Sequence, residues 1–413
     1  MIMLSEIKFS MIFFSKQTLE NMRSQKQNMK NLSISMLVLS FLSFNAVGDN
    51  ANFGGPEQVN NRMQEDKADR DLPLKEKLAA DGIDIAIDYS AVAFNISDTL
   101  GGADDNASGG MLRFYGSWKA TDTGSLIWKL EQRHSYSDTE PRFIGFNGGV
   151  SALEVPPFSD QGGRLTNLYW KQSFNDKNAT VMAGFLDATD YVDVYAVASP
   201  WTGFMDFAFS TGATTMALPG DAALGIAGGT MIGKNFFIIG GITDMESDPT
   251  KPFSSLLDES HFFKTVELGW TSGKDQIYVD NIHITFWDAD ESLEQGQAAD
   301  SGVNFSASKM MGAWLPFLRV GVADKGSLLG IDKSVSTGFA LYGLGGKSNT
   351  LGAAINWSDV AANDDQITLE AFYLMKLMPF WELTPDIQIV QNPANNPNED
   401  QVMILGLRTR LVW

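Results

Sequence analysis

The sequence predicts an all-β fold: a transmembrane antiparallel β-barrel of sixteen strands, or eighteen if one long loop supplies a further pair. Three observations predict it. Successive stretches of about 9–14 residues alternate apolar and polar side chains at period two, long enough for a tilted crossing of a hydrocarbon layer. Short turns and long Gly/Asp/Pro-rich loops join these stretches in alternation, as in a barrel with one plain rim and one elaborate rim. The last stretch, Gln401–Trp413, puts Met403, Leu405, Leu407, Leu411 and Trp413 on one face, with Thr409 the polar exception. Its other face carries Val402, Ile404, Gly406, Arg408, Arg410 and Val412. Such a division suits a strand between lipid and water, with Trp413 in an interfacial aromatic belt. A C-terminal strand of a soluble sandwich would bury the same apolar face, so the rest of the chain has to decide.

Composition narrows the choice. The chain has 413 residues, 44% of them hydrophobic, and a mean hydropathy of −0.09. A helical membrane bundle would be far more apolar, because each span needs about 20 mostly apolar residues. A membrane barrel hides its greasy face by alternation. Cysteine is absent, which excludes a disulfide framework and thiolate metal sites.

Taken in order, Met29-Lys30, the apolar run Leu32–Phe44 and the small residues Ala46 and Gly48 read as a signal peptide over 29–48. Residues 1–28 then read as an upstream extension. Without residues 1–48 the chain holds 25 basic and 48 acidic residues, a net charge of −23. That acidity repels nucleic acid. Acidic loops can bridge divalent cations to lipopolysaccharide; a simple solvated surface accounts for them more readily. Residues 49–81 form a polar segment with a short helix, Leu72–Ala80, stopped before Asp81-Gly82. The barrel is expected over 82–413.

Its strands are expected to begin near 82, 110, 125, 164, 179, 221, 235, 262, 275, 302, 316, 334, 349, 366, 380 and 401. Short turns are expected at 121–124, 175–178, 233–235, 272–274, 315–316, 346–348 and 378–379. Long loops are expected at 137–163, 187–220, 245–260, 289–301, 325–332, 359–365 and 392–400. An even count returns both ends of the chain to one side. Eighteen strands result if Phe204–Met216 forms a pair of its own. A sixteen-strand barrel is wide enough to leave an aqueous channel.

The closing region carries a series that is recognisable. It runs Leu369-Glu370-Ala371-Phe372-Tyr373, Leu383-Thr384-Pro385-Asp386-Ile387-Gln388, Gln391-Asn392-Pro393 and Gly406-Leu407-Arg408. This resembles the carbohydrate-selective porin family (OprB-like). Leu78-Ala79-Ala80-Asp81-Gly82-Ile83, Leu168–Phe174 and Ala183–Leu186 resemble its first strand and middle hairpin. The final Trp stands where Phe is commoner in the family, and the middle loops depart from its pattern. The resemblance implies an outer-membrane channel of a Gram-negative bacterium passing small sugars by facilitated diffusion. It implies contact with outer-membrane lipid and lipopolysaccharide, no cofactor and no nucleic acid; homotrimer and monomer both stay open.

Sugars present hydroxyl edges and weakly apolar ring faces, so a selective channel needs hydrogen-bonding charges and aromatic surfaces at its narrowest ring. Inward parity assigns Arg113, Lys129, Glu131, Arg133, Tyr169, Lys171, Arg319, Arg408 and Arg410 to the lumen. Loop 187–220 adds Tyr191, Tyr195, Trp201, Phe204 and Phe207, and Trp201 is the aromatic candidate for the constriction. These charges can also pair with Asp84, Asp88, Glu131, Glu382 and Asp386.

Other functions remain on the page: a general or other-solute porin, a barrel enzyme, or a secreted sugar-binding β-protein. A barrel enzyme would need a nucleophile beside a base. Ser135 follows His134 directly, so the two point to opposite faces of a strand. His283 shares its face with Asn281 and Thr285, with no serine partner, and no Gly-x-Ser-x-Gly elbow or metal-ligand cluster appears.

Overall fold

The computed structural model describes residues 73–253, 260–325, 329–361 and 363–413. The expected extension 1–28, signal peptide 29–48 and segment 49–72 lie outside the described residues. Helix α1 (Pro73–Ala80) ends where Asp81 and Gly82 return their amides to Lys77, Leu78 and Ala79. Gly82 takes a φ of +77°, the left-handed turn that only glycine adopts without strain, and the chain leaves it as a strand.

Sixteen strands follow: β1 (Ile83–Ile96), β2 (Asn106–Trp118), β3 (Gly124–Ser135), β4 (Gly162–Phe174), β5 (Ala179–Leu186), β6 (Ala223–Ile232), β7 (Phe236–Asp244) and β8 (Phe262–Thr271). The second half comprises β9 (Asn281–Ala289), β10 (Asp300–Ser308), β11 (Trp314–Ala323), β12 (Ile331–Tyr342), β13 (Thr350–Val360), β14 (Gln366–Met378), β15 (Trp381–Gln391) and β16 (Gln401–Val412). Each strand pairs antiparallel with its neighbours in sequence. The ring closes between β1 and β16, from Asp88 opposite Val412 to Ile96 opposite Ile404. Closure is what hydrocarbon demands, since an unpaired edge would leave a row of amides and carbonyls without partners, at several kcal/mol each.

The expected fold class holds, with sixteen strands rather than eighteen. Phe204–Met216 forms the short 3-10 turns Phe207–Phe209 and Thr211–Thr214. Asp206 caps the first of them through Ala208 N, and Gly212 turns with a φ of +77°, so neither arm stays extended. Two turns differ from expectation. Strand β9 starts at Asn281, because Asn281 Nδ2 donates to Ile277 O and closes the turn ahead of it. Leu315-Pro316 lies inside β11; the turn before it contains Gly312, whose φ of +63° supplies the reversal.

The alternation sorts side chains as a membrane requires. Ile87, Leu112, Val266, Phe286, Leu318 and Leu405 are exposed on the outer face. At the plain rim, Trp118, Trp170, Phe174, Phe236, Trp314 and Trp413 are 37–59% exposed and make an aromatic girdle. The inner face carries Asp88, Arg113, Glu131, His283, Arg319, Glu370, Gln388 and Arg408, all buried. What buries them is chain inside the barrel. The loops after β3 (residues 136–161, L2) and after β5 (residues 187–222, L3) fold against the inner wall. Tyr191, Tyr195, Phe204 and Phe209 of L3 share an apolar cluster with Phe237, Phe263, Phe317 and Phe372 of the wall.

Candidate functional site: a loop fastened across the lumen

L3 is fastened to the wall at successive points. Near its start, Asp193 accepts from His283 Nε2 at 2.9 Å, from Gly212 N at 2.8 Å and from Arg319, while its own amide donates to Glu267 at 2.9 Å. Burial pushes the Asp193 carboxyl up, but Arg319 and His283 outweigh burial and hold it below its usual range. Arg319 also lies over the Tyr195 ring, 4.3 Å from its centroid. Farther along, Arg408 donates to Pro200 O at 2.6 Å and Gly203 O at 2.9 Å. Glu370 accepts the amides of Met205 and Asp206, and Ser336 Oγ donates to Ala208 O at 3.0 Å. Asn304 Nδ2 reaches Gly212 O at 2.9 Å and Thr215 Oγ1 at 3.1 Å.

The wall is thinned where the loop presses closest. A Cβ on Gly321 would stand 2.1 Å from Thr215 Oγ1, and one on Gly241 would stand 2.7 Å from the Tyr191 ring. Any larger residue at these two places has to displace the loop.

Each sequence-predicted site residue can now be placed. Arg113 is 1% exposed, bonded to Asp88 and lying 3.8 Å from the centroid of Trp201. Arg319 and Arg408 are equally buried, and their guanidiniums serve L3. Glu131 and Arg133 bond each other, and Arg133 also bonds Asp221 at 2.9 Å. Tyr169 is 6% and Trp201 7% exposed, and Trp201 packs on Phe158 of L2. Lys129 lies 3.8 Å from Asp190, and Arg410 bonds Asp88 at 2.9 Å and approaches Glu382 at 3.4 Å. Those two keep 12% and 13% of their side chains exposed, and Lys171 is also partly exposed. So the structure splits the set. Arg319 and Arg408, which looked free to meet solutes, are occupied in holding L3 through Asp193 and the carbonyls of Pro200 and Gly203, and Arg113 pairs with Asp88 of β1 against the Trp201 ring. The alternative pairing with Asp88, Glu131 and Glu382 is the arrangement found.

L2 is tied into the same assembly. Glu154 forms an isolated bridge with Asp206, Gln388 Nε2 donates to Glu154 Oε2 at 2.7 Å, and Ser151 N donates to Gln366 at 2.9 Å. Burial, together with Asp206 and Asp386, pushes Glu154 well above the ordinary carboxylate range. Burial likewise pushes Asp206 up to about 7. Burial and the neighbouring Asp190 and Asp221 push Asp187, at the start of L3, up to about 7. A carboxyl that stays protonated near neutrality can donate a hydrogen bond in a dry junction instead of repelling its neighbours.

Sequence reading missed Asp193, Glu267, Asn304 and Glu370, the fastening residues. Their inward parity was available for the strand members, but their partner was a loop without period. His283 turns out to be one of these fasteners, and His134 faces outward beside Tyr89, 3.1 Å from its hydroxyl. Among the described residues no group of three or more His, Asp or Glu side chains converges as a metal site.

Comparison with known proteins agrees with this architecture. Residues 298–412 match the profile of the carbohydrate-selective porin, OprB family. The high-pH structure of Pseudomonas putida OprB superposes with a TM-score of 0.69 at 12% identity, covering 82% of this chain and 96% of that one. Its low-pH structure gives a TM-score of 0.51 at 12% identity, covering 82% and 95%. A Rhodopseudomonas blastica porin triple mutant gives 0.50 at 14% identity, covering 80% and 100%. No curated protein sequence matches the chain. The chain is thus a closed sixteen-stranded antiparallel barrel of the porin fold, and its residues 298–412 carry the sequence pattern of the carbohydrate-selective porin, OprB family.

Proposed function

We infer that the chain is an outer-membrane channel through which small carbohydrates diffuse, the observation that carries this being a sixteen-strand ring whose lumen is narrowed by a fastened loop. A ring of this size leaves water inside, and an occluding loop sets the size limit. The family pattern over residues 298–412 directs the reading to sugars. We assign the passage to the part of the lumen where inward-facing charges stay open to water. There, Lys129, Lys171 and Arg410, with Asp190 and Asp221 at 17% and 22% exposure, keep access to water. Mixed charges that already have partners offer donors and acceptors to hydroxyls without binding any one solute tightly, which lets sugars leave as readily as they arrive. The process is passive, with no covalent step and no cofactor. The outer apolar belt meets lipid, and the acidic loop rim faces the lipopolysaccharide of a Gram-negative cell surface.

Liposome swelling tests the reading. Vesicles containing the protein should swell in glucose and in disaccharides at rates that fall with solute size, and glucose should outpace a neutral amino acid of similar size. Swelling that ignores solute class would favour a general porin; no swelling in any solute contradicts a channel.

A further inference from the structure

We propose that the plain-rim face of L3 holds a second carbohydrate subsite, sized for one pyranose ring, in a cavity under the loop. The proposal rests on the carbohydrate reading above and adds a place of binding beyond the constriction. The cavity measures about 150 Å³. At ~30 Å³ of liquid volume per molecule that is room for about five waters, the scale of a single sugar ring. Its roof is the L3 segment with Ala196, Val197 and Thr202, and its floor and walls include Tyr342, Thr350 and Leu374. Arg408 fixes that roof by holding the carbonyls of Pro200 and Gly203, so the cavity is preformed.

The lining chemistry is that of a polyol site. Thr202 and Thr350 are only 7% and 8% exposed, and neither hydroxyl has a hydrogen-bond partner among the described residues. Half-buried Tyr342 and exposed Lys347 complete the lining. The two threonine hydroxyls, on side chains more than nine-tenths buried and both lining one hollow, mark where a ligand's hydroxyls would go. Ala196, Val197 and Leu374 supply the apolar surface that a ring face needs. No carboxylate lines the cavity, which separates it from the charged passage above it.

The chain's lack of cysteine makes the test direct. In Thr350→Cys, the rate of modification by a small methanethiosulfonate reports occupancy at that position alone. Glucose should slow it at least about fivefold, and adding Thr202→Val should raise the glucose concentration for half-protection about fivefold, the worth of one hydrogen bond. Lys234→Cys, at an exposed turn outside both the passage and the cavity, should be protected less than about twofold. The Lys347→Cys variant, at an exposed turn, provides the same readout if Thr350→Cys does not assemble. Glucose that still blocks ion current but leaves positions 350 and 347 unprotected overturns the subsite and spares the channel. Equal protection at Lys234→Cys also overturns it. Inorganic phosphate protecting as well as glucose would overturn the polyol assignment in favour of an anion held by Lys347. Absence of both current block and protection sinks the carbohydrate reading itself.

Discussion

At the residue scale, the buried ions decide whether the loop stays in place. Asp193 neutralises Arg319 and accepts from His283 in a site with almost no solvent. Removing one member strands the others without compensation, which costs about 3–5 kcal/mol. Asp193→Ala should therefore release L3 and raise single-channel conductance while the barrel itself still assembles; unchanged conductance would show that the loop is held elsewhere. Arg410 is a different case. It is partly exposed and its partners sit in the wall, so Arg410→Ala should leave assembly intact, shift ion selectivity toward cations and change sugar block by less than about tenfold. These two arginines are indistinguishable by parity in the sequence. Only the loop that covers Arg319 and leaves Arg410 partly open tells them apart, and a loop without period gives no register to predict from.

At the element scale, L2 and L3 meet in a junction whose charge depends on pH. Asp206 has an ordinary carboxyl pKa of 3.8 and is held at about 7 in the folded loop, with Glu154 raised beside it. The protonated form is the one the junction accommodates. The stabilisation is therefore complete below about pH 4 and is lost as pH rises through about 7. Asp193 behaves oppositely: its lowered carboxyl contributes stability above the ordinary carboxylate range and loses it on acidification. Alkaline loosening should thus begin at the L2–L3 junction, seen as rising current noise between about pH 6 and 8. Asp206→Asn should flatten that rise; noise that stays pH-dependent in the variant would assign it to another group. The strands were legible because a period of two survives any loop. Element limits failed only where a side chain closed a turn, as Asn281 does, or where a glycine displaced one, as Gly312 does.

At the scale of the whole molecule, an acidic, cysteine-free chain of unremarkable hydropathy becomes a membrane protein by arrangement alone. The greasy face lies outside, the paired charges inside, and the β1–β16 seam removes the edge that would otherwise bind another chain. The sixteen-strand ring could be counted from the sequence, because strand number follows from turns. The inward folding of L3 could only be suspected from its aromatics, since Tyr195 and Phe204 find Phe317 and Phe372 solely in three dimensions. Single-channel recording in a planar bilayer with glucose tests the central claim most directly. A water-filled ring narrowed by a fastened loop should give discrete open steps whose current falls, reversibly and in proportion to occupancy, as glucose is added. A protein that inserts without conducting steps, or whose current is indifferent to every sugar, would contradict it.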